Sequence, residues 1–263
     1  MANNDQADQK AAGPRRRRGI YLLPNLFTTA GLFAGFYAIV AAMGHHFSHA
    51  AVAVYVAMVM DSIDGRLARL TNTQSDFGSE YDSLADMISF GLAPALVLYE
   101  WALSMLGKFG WLAAFVYTAA TALRLARFNT QVRVADKRYF QGLASPAAAA
   151  VCAGLVWVCD DYGVAGTQIP WVVWGLTIFL AAMMVSNMRF RSFKDLDLKG
   201  RVPFMTILVL VLVYTVISIN PPQILFTLFL LYALSGPVMT LVYRRRKRLN
   251  RRFHDRGGPP PAP

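Results

Sequence analysis

The chain has 263 residues, 56% of them apolar and only 16% charged, with a formal net charge of +11. A soluble domain carries closer to a quarter charged residues, so neither an ordinary soluble enzyme nor a disordered chain fits. The positive charge lies beside long apolar runs, where anionic headgroups are the nearer partner, and nucleic acid is not expected as one.

Residues 1–19 are polar, end in Arg15–Arg18 and read as a disordered basic tail. The run at 20–44 is too long for a cleavable signal core, and many similar runs follow, so it is read as a first span. Seven more apolar runs are expected as helices: 49–70, 80–106, 110–127, 141–160, 168–187, 202–219 and 222–243. Each approaches the length that a bilayer core requires. Break signals separate most of them: Gly44 with its neighbouring histidines, 107–110, 160–163, and Asn220-Pro221-Pro222. Residues 244–263 open on five basic residues and end in prolines, which reads as a polybasic juxtamembrane segment with a disordered tip.

With the N-terminus inside, 25 of the 26 Lys and Arg residues fall on one side, and only Lys108 does not. The positive-inside rule then places both termini in the cytoplasm and favours an even number of spans. The expected fold is all-α, a polytopic membrane helix bundle with eight spans.

Smaller features carry bland readings. Cys152 and Cys159 share one apolar run, about 10 Å apart along a helix, too far for a disulfide. His45, His46 and His49 read as a surface loop. Gly31 and Gly35 form a GxxxG that permits close helix packing or dimerisation.

The informative stretch is 61–86. Asp61 and Asp64 are three apart, and Asp82 and Asp86 four apart, so each pair shares a helix face. The connection at roughly 70–79 is short enough to make the two helices antiparallel neighbours. Four carboxylates then converge at the cytoplasmic membrane boundary. Such a group repels itself unless cations or protons neutralise it, and oxygen-only ligands favour hard divalent cations. Two such ions suit chemistry at a phosphate or pyrophosphate. Gly65, Ala68 and Gly78 are small enough for a ligand to approach the backbone, and Arg69 offers a fork of donors for a phosphate. A cation or proton transporter using the same acids is the rival from another class, although no internal repeat of the kind transporters carry is visible.

The whole pattern, Asp61-x2-Asp64-Gly65-x2-Ala68-Arg69-x8-Gly78-x3-Asp82-x3-Asp86, resembles the signature of the CDP-alcohol phosphotransferase family at every defining position. The resemblance implies a six-span catalytic core over 20–200, with 201–243 as two additional helices. It implies metal-binding roles for Asp61, Asp64, Asp82 and Asp86, with Asp86 also the general base. It places Asp64, Gly65, Ala68, Arg69, Gly78 and Asp82 around the CDP moiety. Two Mg²⁺ or Mn²⁺ ions and a homodimer are implied as well.

Further stretches resemble the serine-using branch of that family in bacteria. They are Leu23-Pro24-Asn25-Leu26-Phe27-Thr28, Arg127-Phe128-Asn129, 140–149 around Ser145-Pro146, and 186–194. Two positions depart, with Gly31 where that branch often has Asn and Ala144 where it often has Pro. The activity implied is transfer of the phosphatidyl group of CDP-diacylglycerol to L-serine, with release of CMP, in the bacterial inner membrane with the site facing the cytoplasm. Arg127, Asn129, Ser145, Arg189, Arg191 and Lys194 are the candidates for holding serine, and Ser145 also reads as a helix N-cap before Pro146. Glycerol 3-phosphate, inositol phosphate and choline stand as alternative acceptors. Anionic phospholipid is the expected partner of the basic tails.

Overall fold

The computed structural model describes residues 22–71, 75–131, 139–191 and 204–254. The chain is helical throughout these residues apart from one short ribbon. The order is α1 (Leu22–Met43), α2 (Phe47–Leu70), α3 (Asp76–Asp86), a π-helical segment (Met87–Leu92), α4 (Ala93–Trp101), α5 (Lys108–Gln131), β1 (Tyr139–Gln141), α6 (Ser145–Asp161), α7 (Pro170–Val185), β2 (Arg189–Arg191), α8 (Phe204–Ile219) and α9 (Pro221–His254). With α3, the π segment and α4 counted as one interrupted helix, eight helices occupy the eight expected runs. Among the described residues, four stretches are long and apolar enough to cross a membrane: Leu23–Met43, Asp76–Trp101, Lys108–Thr130 and Pro221–Thr240.

The π segment has a local cause. Pro94 has no N–H to give to the carbonyl four residues back, and its ring crowds that carbonyl. The orphaned Phe90 carbonyl accepts instead from Tyr117 Oη of α5, at 3.2 Å. The ladder widens, and Ala93 N donates to Ile88 O, five residues back. This wide turn begins one residue after Asp86, so it sets the direction in which that acid leaves the helix.

The expected GxxxG is used within a single chain. A Cβ on Gly35 would sit 2.5 Å from Ser89 Oγ and 2.7 Å from Ser89 Cα, so α1 touches the π segment backbone to backbone. Ser89 Oγ donates to Gly31 O at 3.1 Å and ties the same two elements. At the centre lies α6, whose residues 147–154 are all buried. Tyr55 Oη of α2 donates to Ala150 O at 2.7 Å. From the other side α9 packs at Gly154, where a Cβ would meet Phe226 Cα at 3.0 Å. Large apolar side chains such as Phe33, Phe36, Leu112 and Phe115 stay exposed, as a lipid-facing surface requires. Cys152 and Cys159 are both free.

Several boundaries differ from expectation. The connection after α2 is shorter than 70–79, because Ser75 caps α3 by accepting from Gly78 N at 3.0 Å. Gly78 is therefore inside the first helical turn. The interrupted helix ends at Trp101 rather than 106, where a 3₁₀ turn takes over. Helix α6 starts at Ser145, not 141, because 139–141 pair with 189–191 in an antiparallel ribbon (Gln141 opposite Arg189). Three-residue strands 48 residues apart leave no periodicity to read. Gly142 then turns the chain at φ 81°, with its missing Cβ pointing 2.3 Å from Met184 O. Ala144 holds the N-cap position in place of Ser145. The basic juxtamembrane stretch after 243 continues α9 to His254. Arg, Lys and Leu favour helix, and no glycine or proline intervenes until Gly257. The tails 1–19 and 255–263 and residue Lys194 lie outside the described residues.

Candidate active site

The helix starts and ends that carry the acid motif meet at one end of the bundle. Asp61 and Asp64 approach from the end of α2, and Asp82 and Asp86 from α3. One oxygen each from Asp61, Asp64 and Asp82 lies within 4.8 Å of the others. All four line one small cavity of about 10 Å³, together with Thr28 and Ser89. That is room for about one water-sized body, and three carboxylate oxygens at this spacing suit a hard divalent cation. Four acids packed this closely with no cation would repel, so the donor set fits a metal.

Helix α1 supplies a residue that sequence reasoning left without a role. Thr28 is buried, and its Oγ1 donates to Asp64 Oδ2 at 2.7 Å. Asp64 is itself only 4% exposed, so this bond fixes the orientation of the most enclosed acid. Asn25, Thr28 and Thr29 sit at i, i+3 and i+4 on an otherwise apolar helix, a polar face that could have been read from spacing alone. Thr29 meets Tyr81 Oη at 2.9 Å, which joins α1 to α3 beside the acids.

The small residues behave differently from one another. A Cβ on Gly65 would meet nothing nearer than Arg69 Nη2 at 4.0 Å, so its surface is open to a ligand. Gly78 is closed in by Ser75 Oγ and Asn25 Oδ1, at 3.1 and 3.5 Å from its missing Cβ. Ala68 is half-buried, Arg69 is exposed, and the Arg69 charge acts on Asp61. Between α1 and α2 runs a larger apolar groove of about 800 Å³, lined by Leu26, Phe33, Val52 and Met60 among others. Thr29, the neighbour of the Asp64 donor, and Met60, the neighbour of Asp61, are among its lining residues.

The acceptor candidates do not form one cluster. Asn129 Nδ2 donates to Ser83 Oγ at 3.0 Å and links α5 to α3, between Asp82 and Asp86 in sequence. Arg127 reaches the other way: it donates to the Asn187 side chain and to Val185 O, so it staples α5 to the end of α7. Ser145 is fully buried and accepts from Arg124 Nη1 at 2.8 Å. Arg189 and Arg191 stand on β2, opposite Gln141 and Tyr139 in the ribbon. Arg124 is the second residue the sequence reading passed over, counted only for its charge. Its signal was its place inside the apolar run 110–127, since an arginine within a span is a functional candidate by default.

Comparison with known proteins agrees with this arrangement. Residues 21–179 match the model of the CDP-alcohol phosphatidyltransferase family. A Helicobacter pylori protein named CDP-diacylglycerol–serine O-phosphatidyltransferase is 34% identical over 223 residues, 85% of this chain and 94% of the relative. A Mycobacterium tuberculosis protein of the same name is 38% identical over 183 residues, 64% of this chain and 63% of the relative. One from Bacillus subtilis is 32% identical over 172 residues, 65% of this chain and 91% of the relative. The family model stops before α8 and α9, yet α9 packs on α6, with Phe226 against Gly154.

Proposed function

The chain belongs to the CDP-alcohol phosphatidyltransferase family, and on that premise we propose how its site makes phosphatidylserine. The enzyme takes CDP-diacylglycerol and L-serine and releases phosphatidylserine and CMP. The observation that carries this reading is the convergence of Asp61, Asp64, Asp82 and Asp86 on one small cavity.

Asp61, Asp64 and Asp82, with Asp86 beside them, would hold Mg²⁺ or Mn²⁺, two ions by resemblance to the family. When bound, such ions neutralise phosphate charge and orient the leaving group. Gly65 leaves room at the backbone for the CDP moiety, Ala68 and Gly78 stand around it by resemblance to the family, and Arg69 meets its phosphate charge. An acyl chain of the donor lies in the apolar groove between α1 and α2, which starts beside the acids.

Asp86 takes the proton of the serine hydroxyl. The hydroxyl oxygen bonds to the phosphorus that carries diacylglycerol, and the bond from that phosphorus to the CMP phosphate breaks. CMP leaves with the electron pair, and the proton on Asp86 passes to solvent. Ordinary aspartate is a weak base at neutral pH, so positioning contributes more here than basicity. Asn129 and Ser145 stand with Arg189, Arg191 and Lys194 as acceptor-side residues. Arg127 serves that side indirectly, by fixing the end of α7.

The proposal includes a setting. The basic residues favour a cytoplasmic site and cytoplasmic termini in a bacterial inner membrane, with six helices as the core and α8 and α9 added. Anionic phospholipid at the basic tails and a homodimer complete it. Turnover is tested by CMP release from purified protein given CDP-diacylglycerol, a divalent metal and one acceptor at a time. Release with serine alone supports the reading. Release only with glycerol 3-phosphate, inositol phosphate or choline moves the acceptor and keeps the acid chemistry.

A further inference from the structure

We infer that Arg124 is the residue that receives the carboxylate of the acceptor amino acid, with Ser145 holding the guanidinium in place. The inference rests on the serine reading of the site and adds to it the group that distinguishes serine from a simple alcohol.

Arg124 lies in α5 within a membrane-spanning stretch. Among the described residues its one hydrogen bond runs from Nη1 to Ser145 Oγ, at 2.8 Å. Its Nε–H is buried and has no partner. A buried donor left unpaired is costly, and native structures seldom keep one without reason. A guanidinium in a span is costlier still unless an anion accompanies it. The charged group that acts on it most is Asp86, and the hydroxyls of Tyr232 and Tyr117 follow. Thr121 of α5 packs on Gly91 beside Met87, and Asn129 of α5 bonds to Ser83 of α3, so Arg124, between them in sequence, faces the turn that carries Asp86, and it keeps a donor free.

The chemistry of the acceptor fits that gap. In L-serine the hydroxyl and the carboxylate sit on adjacent carbons, so one small molecule can offer its hydroxyl to Asp86 and its carboxylate to the neighbouring guanidinium. Arginine suits a carboxylate because its donors form a planar fork. Arg127, the more obvious candidate by sequence, spends donors on Asn187 and Val185 O. Ser145 fixes Arg124 from the first turn of α6, a helix whose residues 147–154 are all buried. It is a positioning residue rather than a contact.

The test compares L-serine with L-serinamide, which keeps the hydroxyl and the amine but has no carboxylate. CMP release is followed in the wild type, Arg124→Gln and Arg124→Lys, with thermal stabilisation by CDP-diacylglycerol and Mg²⁺ as the check on donor binding. The wild type should prefer serine strongly. In Arg124→Gln, kcat/KM for serine should fall at least about thirtyfold, mostly through KM. Serinamide should change less than about threefold, and donor stabilisation should persist. Arg124→Lys should recover part of the loss, and it carries the test alone should Arg124→Gln not fold. Parallel losses for serine and serinamide, or equal use of both by the wild type, overturn the assignment while the serine reading stands. A wild type that releases CMP only with another acceptor overturns the serine reading and this inference with it.

Discussion

Two glycines four residues apart in α1 should respond in opposite ways to one added methyl group. At Gly35 the new Cβ would stand 2.5 Å from Ser89 Oγ, 2.7 Å from Ser89 Cα and 2.9 Å from Ser89 Cβ. The hydroxyl can rotate away, but the Cα belongs to the π segment and yields only if the backbone moves. Overpacking of this kind costs about 1–3 kcal/mol. Alanine returns about 1 kcal/mol through helix propensity, so Gly35→Ala should lose up to about 2 kcal/mol of stability. Its effect on turnover should be larger, since Ser89 is three residues from Asp86 and any shift of the π segment moves that acid. At Gly31 the nearest atom to the new Cβ is Met60 Cβ at 3.5 Å, an ordinary contact. Gly31→Ala should therefore be neutral or stabilising by up to about 1 kcal/mol. The assay is the thermal midpoint of each detergent-purified variant beside its rate of CMP release. The reasoning is refuted if the two variants behave alike. A shared loss accompanied by a shift from dimer to monomer would instead make the motif a seam between two copies.

Four further outcomes follow from the geometry. Asp86→Asn should abolish turnover while leaving CDP-diacylglycerol able to stabilise the protein, and loss of that stabilisation would assign Asp86 to binding rather than proton transfer. Thr28→Val removes the 2.7 Å donor to Asp64 at nearly constant volume; the Mg²⁺ or Mn²⁺ concentration for half-maximal activity should rise about tenfold. Gly142→Ala meets both a positive φ of 81° and Met184 O at 2.3 Å, so it should lower the thermal midpoint more than any other single alanine in the 139–145 stretch. Removal of 244–263 should weaken activity in vesicles rich in anionic lipid and leave it unchanged in neutral ones; equal activity in both would sever the tail from lipid sensing.

The acid constellation was legible in the sequence because helical spacing is a strong constraint. Aspartates at i, i+3 and i, i+4, on two apolar helices joined by a short turn, have few ways to avoid one another. The eight apolar runs were legible for a similar reason, since a bilayer enforces length and polarity together. Thr28 was harder to see: it shares a polar face with Asn25 and Thr29, but that spacing does not name Asp64 as its partner. Arg124 was concealed by its own charge, which the positive-inside tally absorbed as topology. The role of Ser145 changed because Gly142 and the β1–β2 ribbon shift the helix start, and pairing between distant three-residue strands has no local signature. The π segment was foreshadowed by Pro94 inside a helical run. Its consequence, the rescue of the Phe90 carbonyl by Tyr117, depends on a contact 27 residues away.

CMP release by the purified protein, with CDP-diacylglycerol, Mg²⁺ or Mn²⁺, and each acceptor in a separate reaction, tests the central claim most directly. The account predicts release with L-serine and formation of phosphatidylserine, and none with glycerol 3-phosphate, inositol phosphate or choline. Release with one of those and not with serine, or no release with any from folded protein, would contradict it.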